Sequence, residues 1–185
     1  LRWQDVGARA RERASAFLHD TLAVGIAGRN AAHADAVLAM AQGWGEGTGA
    51  GVLGRPGLRL PALSAAFVNA FQIHGQEFDC VHEPAVLHPM ATVLAALLAE
   101  LSRGEPASGE RLLTAIVAGV DVAVTLGIAA PGALSFFRPA TAGIFGCVAA
   151  IASLRGLGRK VALDAFGHAL ALASGTMQAH VEGKP

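Results

Sequence analysis

Apolar residues recur at helical spacing along most of this 185-residue chain. Residues three and four positions apart lie on one face of an α-helix, so the pattern predicts helices that pack through apolar faces. Seven segments follow it: Arg9–Ala27, Ala31–Gln42, a helix beginning after Pro61, Met90–Ser102, a helix from Ser108 to about Gly127, Pro139–Leu154 and Val161–Met177. The sequence therefore predicts one all-α domain, a bundle of about seven helices.

A glycine-rich segment separates the second and third predicted helices. Glycines stand at positions 43, 45, 47, 49, 51, 54 and 57, and glycine is unfavourable inside a helix. We expect a loop with one short strand at Val52–Leu53. A phosphate-binding loop is rejected, because the segment lacks the G-K-[ST] ending and a preceding strand.

The composition predicts burial beyond an ordinary core. Hydrophobic residues make up 53% of the chain and charged residues 15%, against about a quarter for an average soluble domain. Two predicted stretches, Ala140–Ser153 and Ala165–Ser174, are apolar on most sides, which predicts a place in the centre of the bundle. Small residues there would let helix backbones approach closely.

The charge balance excludes several classes of partner. Lys and Arg number 14 and Asp and Glu number 14, so a nucleic-acid-binding face or a basic membrane surface is not expected. The longest uncharged runs fall short of the ~18 residues of a spanning helix. Two cysteines give no disulfide framework, so a cytoplasmic location is expected.

A polar segment between two apolar helices is the clearest candidate for chemistry. Within 15 residues it holds His74, Glu77, Asp79, Cys80, His82, Glu83 and His88. These groups could perform acid–base catalysis, since a carboxylate orients a neighbouring imidazole. Alternatively, His74, Glu77, His82 and His88 could bind Zn²⁺ or Fe²⁺, or the segment could be a plain surface loop.

Arg138 is a second candidate, because no other charge lies between Asp121 and Arg155. It precedes Pro139 at a predicted helix N-terminus that also carries Thr141. A guanidinium beside exposed helix amides suits a substrate carboxylate. The alternative is an arginine that caps a loop or pairs with a neighbour.

The polar segment resembles the signature of the MmgE/PrpD family. The matching residues are Val68-Asn69, His74, the stretch Glu77-Phe78-Asp79, His82 and the pair His88-Pro89, and the likeness continues to Gly183-Lys184-Pro185. The resemblance implies a lyase or isomerase that moves a proton next to a carboxylate of a small polycarboxylate. Dehydration of the 2-methylcitrate type is favoured, with decarboxylation or epimerisation as alternatives.

The resemblance also implies roles for individual residues. His88 is the expected acid and base, oriented by the remaining members of the segment, His74, Glu77, Asp79 and His82. Lys184 matches a lysine that contacts a substrate carboxylate, and we expect Arg138 and Thr141 to assist it. The set requires no metal and no cofactor.

Three departures from the family pattern favour a different function. Cys80 replaces an aspartate and Val81 a threonine. A family histidine is absent before Thr141, where the chain has Phe137 and Arg138. The alternative is therefore a catalytically inactive helical subunit that serves binding or assembly.

The family architecture implies that residues 1–185 are the incomplete N-terminal portion of a helical domain. An α/β lid domain is expected beyond residue 185, and family members commonly form homodimers. We expect the remaining helices and the dimer partner to cover the surplus apolar surface. The isolated 185-residue stretch should then be inactive.

Overall fold

A computed structural model describes residues 1–45, 47, 49–130, 132 and 135–182, without the side chains of residues 179 and 180. These residues form nine α-helices: α1 Ala8–Ala27, α2 Ala34–Gln42, α3 Ala62–His74, α4 Pro89–Leu101, α5 Gly109–Ala129, α6 Arg138–Thr141, α7 Gly143–Arg155, α8 Arg159–Leu172 and α9 Gln178–Val181. All but α6 and α9 are longer than two turns and lie within or beside the seven predicted segments. The all-α prediction is confirmed.

The glycine-rich segment contains a small antiparallel hairpin. Strand β1 (Ala50–Gly51) pairs with β2 (Arg59–Leu60), with Ala50 opposite Leu60. The predicted strand at Val52–Leu53 is wrong, because the backbone turns after β1. The Leu53 amide donates instead to the side chain of Asn69, at 2.8 Å.

The core lies where α4 is enclosed by α1, α5 and α7. Its buried members are Ala14, Met90, Val93, Leu94, Leu97, Ala115, Ile116, Ala150 and Leu154. Helices α5 and α7 cross through two glycines, since a Cβ added to Gly119 would lie 2.9 Å from the Gly146 carbonyl oxygen. Small residues therefore permit the close approach that the sequence predicted.

Helix α3 is held by polar side chains on its buried face. Asn69 and Gln72 are both buried. The Gln72 amide donates to the carbonyls of Gly25 and Leu53, at 3.1 and 2.8 Å. These anchors fix the position of the C-terminal end of α3, where His74 lies.

Two helix boundaries differ from the prediction. Helix α2 begins at Ala34 rather than Ala31, because His33 adopts a left-handed conformation (φ 65°) and provides the N-cap. The predicted helix Pro139–Leu154 divides at Ala142 into α6 and α7. The spacing of apolar residues predicts both helices, but neither the left-handed residue His33 nor the break at Ala142 leaves a clear signal in the sequence.

Helix α8 lies at the edge of the described bundle, so the predicted central burial of Ala165–Ser174 stays a prediction for the longer protein. Ala169 is buried, whereas Leu170 and Leu172 are each 70% exposed. The main neighbour of α8 is α7, where Phe166 stacks on Phe145 at a centroid distance of 6.2 Å. The space at the centre is already filled by α4, α5 and α7.

Helix α5 is the one described helix long and apolar enough to cross a membrane, by length and composition alone. A core helix of a soluble protein passes the same test, and 33% of its apolar window is buried here. The uncharged-run criterion did not select this helix, because Asp121 interrupts it. The expected absence of a membrane span stays a prediction.

Candidate active site

Two helix ends bring His74 and His88 together. Helix α3 ends at His74, and His88 is the N-cap residue of α4. The two helices pack against each other, so the intervening segment 75–87 leaves and returns to the same place. The imidazole rings lie 4.6 Å apart between centroids, at an interplanar angle of 61°.

A buried carboxylate faces one edge of both rings. The side chain of Asp79 has no exposed surface. Its Oδ1 lies 3.1 Å from Nδ1 of His74 and 3.2 Å from Nδ1 of His88. An ionised carboxylate accepts hydrogen bonds only, so it favours a proton on Nδ1 of His74, to which it is hydrogen-bonded. Nε2 of a neutral His74 ring is then left with a free lone pair.

An exposed carboxylate faces the other edge. Glu77 lies with Oε1 3.4 Å from Nε2 of His74 and Oε2 3.8 Å from Nε2 of His88. Its side chain is 71% exposed. Glu77 has φ 55°, a left-handed conformation that is uncommon for a residue other than glycine. The turn of the backbone at this residue brings the carboxylate over the ring pair.

The charges of the site act on the protonation of His74. The hydrogen bond to Asp79 raises the pKa of His74 above its ordinary value, and burial partly opposes this effect. The negative charges of Asp79 and Glu77 act in the same direction as the hydrogen bond. The site therefore favours a protonated, cationic His74.

Two polar atoms in the site lack hydrogen-bond partners among the described residues. They are Oδ2 of Asp79 and Nδ1 of His88, both buried. The 3.2 Å approach of His88 to Asp79 is an ionic contact without hydrogen-bond geometry. Unpaired buried polar groups are costly, and they concentrate at sites that bind a ligand or perform chemistry.

His82 lies apart from this group in the described structure. Its Nδ1 accepts a hydrogen bond from the Ala85 amide at 3.2 Å and caps the short 3₁₀ turn Glu83–Ala85. Its backbone amide donates to the Leu87 carbonyl at 2.8 Å. His82 thus shapes the loop that leads to His88, and no described hydrogen bond or ion pair joins the two imidazoles.

Arg138 contacts the same loop through the backbone. Its guanidinium donates to the carbonyls of Ala85 at 3.1 Å and Ala130 at 2.6 Å. These bonds correspond to the loop-capping alternative that the sequence allowed. Thr141 donates from Oγ1 to the Phe137 carbonyl at 3.2 Å. Lys184, the remaining predicted carboxylate ligand, lies outside the described residues.

Three of the four predicted metal-binding side chains converge. One potential ligand atom from each of His74, Glu77 and His88 lies within 4.8 Å of the others. His82 is not a member of this group. The sequence placed His74, Glu77 and His88 in one segment. Only the structure shows that the Nδ1 atoms of the two rings face the buried carboxylate and that the Nε2 atoms face the exposed one.

Beside the polar segment lies a mainly apolar cavity of about 320 Å³, which the sequence did not suggest. Phe17 of α1 and Val120 of α5 line it together with Cys80 and His82. Burial raises the pKa of the Cys80 thiol to about 11. A thiol with such a pKa is a poor nucleophile near neutral pH.

Comparison with known proteins identifies the family. The family model of the MmgE/PrpD N-terminal domain matches residues 1–184. Cis-aconitate decarboxylase of Homo sapiens is 32% identical over 185 residues, which cover 96% of this chain and 38% of the human enzyme. Cis-aconitate decarboxylase of Mus musculus is 33% identical over 153 residues, covering 78% and 31%. The chain spans less than two fifths of the length of these curated relatives.

Proposed function

Because the chain belongs to the MmgE/PrpD family, we propose that the whole protein is a lyase acting on a small polycarboxylate. The observation that carries this proposal is the pair of imidazoles, His74 and His88, held between a buried and an exposed carboxylate. Imidazole is suited to proton transfer near neutral pH, and fixed carboxylates orient it.

His88 is the proposed acid and base. Its Nδ1 faces the buried Asp79, so Nε2 is the atom available to a substrate. In a decarboxylation, the bond between carbon and the departing CO₂ breaks, and the electron pair left on carbon takes a proton from the imidazolium. In a dehydration, the neutral imidazole removes a proton from carbon while the neighbouring hydroxyl leaves.

The relatives favour decarboxylation over the dehydration that the sequence favoured. Both are named cis-aconitate decarboxylase. We therefore propose cis-aconitate, or a polycarboxylate of similar size, as the first substrate to test. Epimerisation requires proton transfer at carbon as well and remains within the same proposal.

The substrate carboxylates need cationic or hydrogen-bonding partners. We propose that Lys184 binds one of them as a point charge. The bonds of Arg138 to two backbone carbonyls suit a positioning role, in which it holds the loop beside the site. Thr141, whose hydroxyl is bonded to the Phe137 carbonyl, is proposed as a further hydroxyl partner of a substrate carboxylate.

The wider proposal concerns the whole protein. We propose that the whole protein is a cytoplasmic homodimer that needs no metal and no organic cofactor, with a lid domain beyond residue 185. Leu170 and Leu172 on α8 support further covering of this face, because large apolar side chains are rarely grouped on a free surface. Elemental analysis after purification should find well under one equivalent of zinc or iron.

The alternative is a catalytically inactive subunit of the same fold. Cys80 and Val81 replace polar family residues, and Arg138 is already bonded to the backbone. Retention of His74, Asp79 and His88 in a common geometry supports catalysis instead.

A substrate screen of the whole protein separates the two functions. Cis-aconitate, citrate and 2-methylcitrate are incubated with it, and proton NMR follows loss of substrate and appearance of products. Turnover of one of these acids with release of CO₂ or water is the expected result. Absence of both binding and turnover across the set would favour the inactive subunit.

A further inference from the structure

We propose that His74, Glu77 and His88 form an inhibitory zinc site that captures Zn²⁺ when the ion is supplied. The capture itself depends only on the described geometry. Its inhibitory effect rests on the proposed function, in which Nε2 of His88 exchanges a proton with substrate.

The first support is the ligand set. Two imidazole nitrogens and a carboxylate oxygen are a common zinc donor set, with a fourth position open to water. Magnesium and calcium prefer oxygen ligands throughout, so two nitrogen donors disfavour them. The ring pair thus selects zinc or another late divalent transition metal.

The second support is the spacing of the donor atoms. A tetrahedral zinc ion with bonds of ~2.0–2.1 Å places its ligand atoms about 3.3 Å apart. Oε1 of Glu77 lies 3.4 Å from His74 Nε2, and Oε2 of Glu77 lies 3.8 Å from His88 Nε2. The three donor atoms lie within 4.8 Å of one another, so closing on an ion requires small side-chain movements. Glu77 is largely exposed and free to make them.

The third support is independent of the donor atoms and lies behind the rings. Asp79 is buried, and Oδ2 has no hydrogen-bond partner among the described residues. The described partners of this carboxylate are the two imidazoles alone. A carboxylate on the far nitrogen of a metal-binding histidine orients the ring and strengthens binding. Asp79 makes this hydrogen bond to His74, and it lies 3.2 Å from Nδ1 of His88 as an ionic contact.

Charge compensation favours the same occupant. The carboxylates of Asp79 and Glu77 bring two formal negative charges to the cluster. A divalent cation at the Nε2 edge would neutralise that charge. The ion would also occupy the Nε2 lone pair with which His88 exchanges a proton with substrate, so turnover would cease.

The experiment measures zinc binding directly on the whole, chelator-treated protein. Zinc is titrated in competition with a chromophoric chelator, and Co²⁺ is then added separately as a spectroscopic probe. We expect one zinc per chain and visible absorption typical of a four-coordinate cobalt site. Glu77→Gln, a change at an exposed side chain, should weaken zinc binding at least 10-fold.

His168→Ala is the matched control, since this histidine is exposed on α8 and lies outside the cluster. It should bind zinc as the unaltered protein does. His74→Ala should lose the site and the cobalt absorption. Equal zinc binding by the unaltered protein, Glu77→Gln and His74→Ala would overturn the site.

Activity separates inhibition from a cofactor role. Chelated protein should be active in the screen, and one equivalent of zinc should abolish turnover. Loss of activity on chelation with restoration by zinc would overturn the inhibitory role. If the screen finds no substrate, the proposed function fails while the binding titration still decides the site.

Discussion

Replacing Asp79 by Asn tests the assignment of the buried carboxylate with little change in shape. The amide oxygen can take the place of Oδ1, 3.1 Å from His74 and 3.2 Å from His88. The NH₂ group then occupies the position of Oδ2, where the described structure offers no hydrogen-bond partner. The substitution removes the charge and keeps the volume.

The size of the effect follows from the two contacts. A hydrogen bond to a charged group contributes about 1.5–3 kcal/mol and a neutral one about 0.5–1.5 kcal/mol. The loss is therefore about 1 kcal/mol for the His74 bond alone and about 2 kcal/mol if the ionic contact to His88 weakens equally. Because 1.36 kcal/mol corresponds to a factor of ten, kcat/KM should fall about 5- to 30-fold.

Two readouts on the whole protein measure this effect. Steady-state kinetics with the substrate found in the screen give kcat/KM, and proton NMR of the imidazoles follows their titration. The pKa of His74 should fall, because the hydrogen bond that chiefly raises it is weakened. Asp164→Asn, which neutralises an exposed carboxylate paired with Lys160, is the control. Unchanged kinetics and an unchanged His74 titration in Asp79→Asn would refute the orienting role.

Three further predictions concern stability, all measured by chemical denaturation. Gly119→Ala should lower the free energy of unfolding by about 1–3 kcal/mol, because its Cβ would lie 2.8 Å from Ala150 Cβ and 2.9 Å from the Gly146 carbonyl oxygen. Gly167→Ala on α8, where no atom outside α8 lies within 4 Å of the new Cβ, should raise the free energy of unfolding by about 0.5–1 kcal/mol. A less stable Gly167→Ala together with a more stable Gly119→Ala would contradict the described packing of α5 and α8. Without added metal, the raised pKa of His74 should stabilise the fold fully below pH 6.5, the unfolded value, and this contribution should disappear as pH rises through the folded value. His74→Gln should remove that pH dependence, and an unchanged profile would contradict it.

Much of the fold was predictable because the helical spacing of apolar residues agrees with the positions of residues that typically start or end helices. The predicted helix starts at Met90 and Ser108 lie within one residue of those in the structure, and the Ser108 hydroxyl accepts a hydrogen bond from the Arg111 amide. The element that covers the apolar face of α8 was not predictable. An apolar sequence shows that a helix prefers burial, but it does not show which part of a longer chain or which partner would cover it.

The candidate site, like the fold, was predictable only in part. The clustering of His74, Asp79 and His88 in one short segment indicated the site, because charged residues are scarce here. Its internal order could not be predicted, since it depends on a left-handed backbone at Glu77 and on the burial of Asp79. His82 stood in the same segment, yet its ring caps a turn.

Turnover by His88→Ala in the whole protein tests the proposed proton transfer most directly. The variant is compared with His168→Ala, and circular dichroism verifies that both are folded. Loss of the imidazole that exchanges a proton with substrate should lower kcat about 10²–10⁴-fold, with the control unchanged. Full activity of a folded His88→Ala protein would contradict His88 as the acid and base.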